Sequence, residues 1–146
     1  QKMKPQRVAC LLCLLQFVFA LMVGCGREYG DDQRFPLSGN VTYDGKAIDM
    51  GTISFLPLSG DKQRVSGGLI ENGAYNVPEE QGANQGKYRV EIRWAKKTGK
   101  QFLDADTQTM VDRRDEGLPP RFHKDSSLTA EVSADNTKFD FDLKSQ

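Results

Sequence analysis

Three cysteines, one histidine and two pairs of closely spaced carboxylates are the residues of this 146-residue chain best equipped for chemistry. Cys10 and Cys13 have the C-x-x-C spacing of redox and metal-binding dithiols. His123 would need a nucleophile and an orienting acid to act in a triad. Ser126 and Ser127 are close in sequence, yet no G-x-S-x-G elbow surrounds any serine. One histidine is also too few for a zinc site of the usual composition. Asp104-Ala-Asp106 could bring two carboxylates to one cation, but calcium takes six to eight oxygens and no EF-hand spacing is present. Asp140 and Asp142 stand two apart, on one face of an extended segment. Glycoside hydrolysis needs its two carboxylates across a cleft, so charges on a solvated strand face fit this pair better. Neither phosphate-cradling glycine fingerprint occurs. With 20 basic and 20 acidic residues, the chain also lacks the positive field of a nucleic-acid binder. No catalytic residue, metal or cofactor is expected.

The cysteines are explained by their setting. Lys2, Lys4 and Arg7 precede an apolar run from Val8 to Val23 that only Gln16 interrupts. Sixteen residues fall short of the roughly 20 that span a bilayer as a helix. A basic start, a short apolar stretch and a small residue beyond it read as a secretory signal. Leu21-Met-Val-Gly24-Cys25 resembles the lipobox of bacterial lipoproteins. That resemblance implies a signal peptide over residues 1–24, cleavage between Gly24 and Cys25, and a diacylglycerol on the Cys25 sulfur. Each buried CH₂ of the lipid adds about 0.8 kcal/mol of membrane affinity, so several chains hold firmly. Cys10 and Cys13 leave with the signal, and the mature chain has no free thiol. That mature chain carries 17 basic against 20 acidic residues, because the only charges before residue 26 are the three basic ones. Gly26, rather than an aspartate, follows Cys25, which points to the outer membrane of the envelope.

Residues 25–36 then read as a lipidated cysteine and a polar tether, with a root-mean-square reach of about 18 Å. Beyond it a period of two dominates, the mark of half-buried strands. Leu37, Gly39, Val41 and Tyr43 share one face. Ile53 with Phe55, Val65 with Gly67 and Leu69, and Tyr75 with Val77 form further inward sets. Tyr88, Val90, Ile92 and Trp94 are the clearest, alternating with Arg89, Glu91 and Arg93. Leu128, Ala130 and Val132, then Phe139, Phe141 and Leu143, close the series. Asp44-Gly45 and Asn72-Gly73 are hairpin turn dipeptides. Seven short strands without a helix predict an all-β domain over 37–146, an antiparallel β-sandwich with its inward side chains between two sheets.

Several of these stretches resemble the carboxypeptidase-regulatory-like (transthyretin-like) domain. They are Leu37-Ser-Gly-Asn-Val-Thr-Tyr-Asp-Gly-Lys-Ala-Ile48, Gly51-Thr-Ile-Ser-Phe55, Asn72-Gly-Ala-Tyr75 and Gly86-Lys-Tyr-Arg-Val90. Ala47-Ile48 stands where Pro-Leu is common. Leu118-Pro-Pro-Arg-Phe122, Leu128-Thr-Ala-Glu-Val132 and Phe139-Asp-Phe-Asp-Leu143 are similar to segments of small secreted bacterial lipoproteins carrying that domain. The resemblance implies a seven-stranded transthyretin-like, immunoglobulin-like sandwich and no catalytic residues.

Residues 95–125 lack periodicity and read as a long loop, either a solvated excursion or a partner-binding element. Lys96, Lys97, Lys100, Arg113, Arg114 and Phe122 are its candidate contact residues. Leu118-Pro119-Pro120 should run stiff and extended, docking Phe122 on the sandwich edge. Trp94 and Tyr88 could instead stack a sugar ring, although alternation places both with the core. The expected function is a non-enzymatic, lipid-anchored envelope module, monomeric, meeting another envelope protein. A carbohydrate- or peptide-binding module is the alternative. Replacing Cys25→Ser should abolish acyl labelling and release the protein from membranes, and unchanged labelling would sink the lipoprotein reading.

Overall fold

A computed structural model describes residues 33–58 and 63–146, which form strands, turns, irregular connections and two single-turn 3-10 segments. The apolar run, Gly24, Cys25 and the tether to residue 32 lie outside the described residues.

The strands are β1 (Arg34–Phe35), β2 (Leu37–Tyr43), β3 (Lys46–Ala47), β4 (Met50–Pro57), β5 (Ser66–Glu71) and β6 (Ala74–Val77). They are followed by β7 (Ala83–Asn84), β8 (Gly86–Leu103), β9 (Met110–Glu116), β10 (Thr129–Val132) and β11 (Phe141–Leu143). The main sheet runs β10-β8-β4-β5-β6-β2-β11, with β3 on β2 and β9 on β8, and β1 pairs separately with β7. Both expected turns form. Asp44 and Gly45 have φ of 50° and 77°, and Asn72 and Gly73 have 51° and 82°. Two successive left-handed residues twist in the same sense as the strands they join, which is why Asp-Gly and Asn-Gly are favoured there.

The sheet folds over on itself. β2 and β8 are separated by three strands in the hydrogen-bonded order. Even so, the Tyr43 and Trp94 rings lie 6.0 Å apart, and Phe55 of β4 reaches Phe139 beside β11 at 6.2 Å. Only two facing layers allow that, so the all-β architecture has the character of a β-sandwich. Leu37, Val41, Ile53, Phe55, Val77, Tyr88, Val90 and Ile92 fill the space between them with almost no exposure. Gly39 sits where the layers are stitched together. A Cβ there would fall 1.9 Å from the Phe139 carbonyl oxygen, the same oxygen that accepts from the Tyr75 hydroxyl at 2.8 Å.

Three sequence expectations change. First, the inward set of β5 is the opposite one. Val65 and Leu69 are 63% and 64% exposed, whereas Ser66 and Ile70 are 4% and 0%. The turn decides this. A two-residue loop at Asn72-Gly73 pairs Glu71 with Ala74 and Ile70 with Tyr75, and directly opposed residues share a face. Second, β11 pairs with β2 in parallel, Phe141 beside Val41 and Leu143 beside Tyr43. The chain leaves β10 at one end of the strand order and crosses to the other, so it arrives running the same way as β2. Alternation does not encode strand direction. Third, most of the expected long loop is strand. β8 continues for 18 residues and returns as β9, with a bulge between Lys97 and Gln101.

The reversed face of β5 can be measured. Ile70→Ala should cost about 2–5 kcal/mol by emptying part of the core, while Leu69→Ala should stay within about 0.5 kcal/mol. Equal losses in thermal or urea unfolding would contradict this register.

Candidate functional site

Residues 95–116 leave the body as a two-stranded arm. Nine residues of β8 extend beyond Trp94, about 30 Å at strand spacing. Along the ribbon Ala95 pairs with Glu116, Lys97 with Arg114, Gln101 with Asp112, and Leu103 with Met110. Thr98 bridges the bulge, donating to the Arg113 carbonyl at 3.0 Å and accepting from Lys100 N at 3.2 Å. The turn at the tip is held by Asp104, whose Oδ1 accepts from Asp106 N, Thr107 N and the Thr107 hydroxyl at 2.8–3.0 Å. These bonds, the Thr107 amide foremost, hold the Asp104 carboxyl below the usual carboxylate range. Asp104 thus builds the turn, and no three His, Cys, Asp or Glu side chains converge among the described residues.

The tip is apolar on both faces. Phe102 stands opposite Val111 and Leu103 opposite Met110, and neighbouring pairs project to opposite sides. Phe102, Leu103 and Met110 are 51%, 57% and 57% exposed. Exposed apolar side chains at the end of a projecting ribbon are unusual unless something covers them.

The root of the arm is a polar joint around Trp94. The indole Nε1 donates to Asp49 Oδ1 at 2.6 Å, and Arg114 meets Asp49 Oδ2 at 3.0 Å and the Ala95 carbonyl at 2.6 Å. Glu116 Oε1 accepts from the backbone N–H of Trp94 and of Leu118, at 3.1 and 3.0 Å, with Arg93 at 3.5 Å from its other oxygen. The Lys96 ammonium lies 5.1 Å from the Trp94 ring centre, and Gly117 packs so closely on the indole that a Cβ would be 2.7 Å away. Beside this joint, Met50, Thr52, Leu69, Trp94 and Arg114 border an open cleft of about 390 Å³.

The other sequence candidates separate. Lys96, Lys97, Lys100, Arg113 and Arg114 are all on the arm, but Arg114 is committed to Asp49 and Lys97 pairs with Asp112 at 2.6 Å. Phe122 is not a contact residue of a free loop. Carried by a 3-10 turn after Pro119, it is buried and meets Tyr43 edge to face at 6.3 Å. Of the expected extended segment only Pro119 is extended, since Pro120 opens the 3-10 turn, and its phenylalanine belongs to the core. Tyr88 is wholly buried and donates to the Asn84 carbonyl at 3.0 Å, so it forms no platform with the half-buried Trp94. His123 and Ser126 are buried and turn to main-chain oxygens, of Leu118 and Val90 respectively, rather than to each other. Asp140 accepts from Asn40, and Asp142 from Thr42 at 2.8 Å and Lys144 at 2.7 Å, which fastens β11 along β2.

Asp49, Phe102, Leu103 and Met110 were not singled out by sequence pattern. Phe102-Leu103 and Met110-Val111, two apolar pairs flanking six turn-forming residues, carry a hairpin signal. Asp49 carries none, because its partners are 45 and 65 residues away.

The Asp49 carboxyl is held below its ordinary value, first by the Trp94 indole and then by Arg114. A carboxylate depressed on folding contributes stability above its unfolded value, near 3.9, and loses it as pH falls through the lower folded value. The chain has one tryptophan, so its fluorescence reports the joint directly. Emission should hold constant from pH 7 to about 5 and change below about 4. In Asp49→Asn the change should already be present at pH 7. An Asp49→Asn protein with unaltered emission would show that the joint does not rest on this carboxylate.

No family model, curated protein or solved structure matches the chain.

Proposed function

We propose that this chain is a non-enzymatic protein of a bacterial cell envelope, anchored by lipid on Cys25. Its seven-stranded, transthyretin-like sandwich presents residues 95–116 to a partner. The lipobox-like Leu21–Cys25 and the polar residues from Gly26 to Asp32 support the anchor and a tether that ends before β1, and Gly26 favours the outer membrane. The observation that carries the interaction role is the exposed Phe102, Leu103 and Met110 at the end of the arm. Hydrophobic side chains held about 30 Å from the body contribute nothing to the core. They gain only when a second surface removes them from water, each by about 1.5–3 kcal/mol if fully covered. The buried, main-chain-bonded His123 and Ser126 supply no nucleophile and base.

A second reading, recognition of a glycan or peptide, is favoured by the cleft beside Trp94, where an aromatic edge, Arg114 and the Glu116 carboxylate meet. It is the weaker reading. Both Asp49 oxygens and the indole N–H are already engaged, and Lys96 lies over the ring.

Exchanging residues 98–113 for Asn-Gly joins Lys97 to Arg114, which already face each other, by a two-residue hairpin turn. The shortened protein should melt within about 3 °C of the original and lose its crosslinked partner in the native envelope. An unchanged set of crosslinks would remove the arm from the proposal. Glycan or peptide binding that survives the exchange would favour the cleft.

A further inference from the structure

We propose that the partner of the arm is a second copy of this chain, the two arms lying antiparallel across a twofold axis beside Phe102. This rests on the reading of the arm as an interaction surface and names its occupant.

The charges of the arm carry the inference. Lys97 pairs with Asp112, Arg113 with Asp115, Arg114 with Asp49, and Glu116 with Arg93. Once these cancel, four charged side chains of the arm have no ion-pair partner among the described residues. Two are cations on the stem, Lys96 and Lys100. Two are anions in the turn at the tip, Asp104 and Asp106. The arm therefore carries a net charge separation along its length, positive towards the body and negative at the end.

Such an arm complements itself in one orientation only. Side by side in parallel, two arms set Lys100 against Lys100 and turn against turn. Antiparallel, with position 102 on the axis, Lys100 of each copy faces the Asp104–Asp106 turn of the other, and Lys96 approaches the far side of that turn. The contact occurs twice because the axis repeats it. It also closes on itself, giving a dimer rather than a filament.

Two of the apolar residues lie where this arrangement needs them. Phe102 falls on the axis with Val111 opposite it in the ribbon, on the same face as Lys100 and Asp104, while Leu103 and Met110 lie on the other face. An aromatic side chain at the centre of a patch, ringed by charges, is the usual form of an energetic anchor. The ribbon is about 30 Å long and two strands wide, roughly 10 Å. Its face can bury only a few hundred Å² per copy, at the low end of specific interfaces. Pairing is thus weak in dilute solution, and copies held in one membrane by their lipid would meet at far higher effective concentration.

The test uses the full chain in its own membrane. Two copies with different epitope tags are expressed together, with a photo-crosslinking phenylalanine analogue at position 102. The expected product is a mixed-tag adduct of twice the chain mass. It should fall at least fivefold on Lys100→Glu in both copies and likewise on Asp106→Lys in both. Both side chains are solvent-exposed, and Asp106 enters the turn only through its backbone N–H, which Asp106→Lys retains, so neither change threatens folding. Co-expressing one Lys100→Glu copy with one Asp106→Lys copy should restore the adduct, because each reversed charge then faces its opposite. A dimer adduct insensitive to both reversals, or no rescue on mixing, overturns the antiparallel pairing. Capture of a different envelope protein or of lipid in place of a second copy overturns it too, while leaving the arm as an interaction surface. Capture of nothing removes both.

Discussion

The 18 residues of β8 are a single hydrogen-bonded track, and everything distinctive in the fold depends on where that track leaves the core. The strand pairs with β10 from Gly86 to Arg89 and with β4 from Tyr88 to Trp94, and up to Ile92 one of its faces is sealed by the facing layer. From Ala95 onward it has only β9 for company. Trp94 stands at the transition. Its ring packs towards Tyr43, its N–H is tied to Asp49, and its backbone is tied to Glu116. A two-stranded ribbon alone is marginal in water. This one inherits its register from the half of β8 fixed in the sandwich. The polar joint sets the direction in which it leaves, because Asp49 and Arg114 link the arm to the start of β4.

The same logic separates fold from function. Tyr43, Phe122 and Trp94 are aromatic residues that a binding site would use, yet here they seal one end of the layers against each other. Among the described residues, the aromatic side chain left most open to solvent is Phe102, near the end of the arm. Carboxylates divide in the same way. Asp140 and Asp142 fasten a strand, Asp104 closes a turn and Asp49 fixes a joint, leaving Asp106 as an unengaged charge at the tip.

Much of this was legible in the sequence wherever one side of a strand meets the core and the other meets water. Leu37 to Tyr43 and Tyr88 to Trp94 alternate because burial does. Asp44-Gly45 and Asn72-Gly73 give their turns away because few other dipeptides adopt two left-handed conformations. Leu69 misled because an exposed leucine looks like a buried one, although the spacing from Asn72-Gly73 already required Ile70 to face inward beside Tyr75. The arm stayed hidden for a physical reason. Both its faces are in water, so no apolar period records its strands, and Lys96-Lys-Thr-Gly-Lys100 reads as loop. The joint was hidden because hydrogen bonds from Asp49 to Trp94 and Arg114 leave no local pattern.

The parallel seating of β11 against β2 has a consequence for assembly. Asn40 bonds Asp140, Thr42 bonds Asp142 and Asp44 bonds Ser145, each across about a hundred residues. Closing so large a loop delays those contacts, and pairings of this range are among the slowest to form. β2 is among the first strands to emerge when the chain is threaded from its N-terminus, yet it keeps one bare edge until residues 141–143 arrive. During that interval Val41 and Tyr43 present an open template to any passing extended chain. The unfinished chain therefore carries an exposed strand edge that a finished copy does not, and it has reason to need protection until β11 is seated.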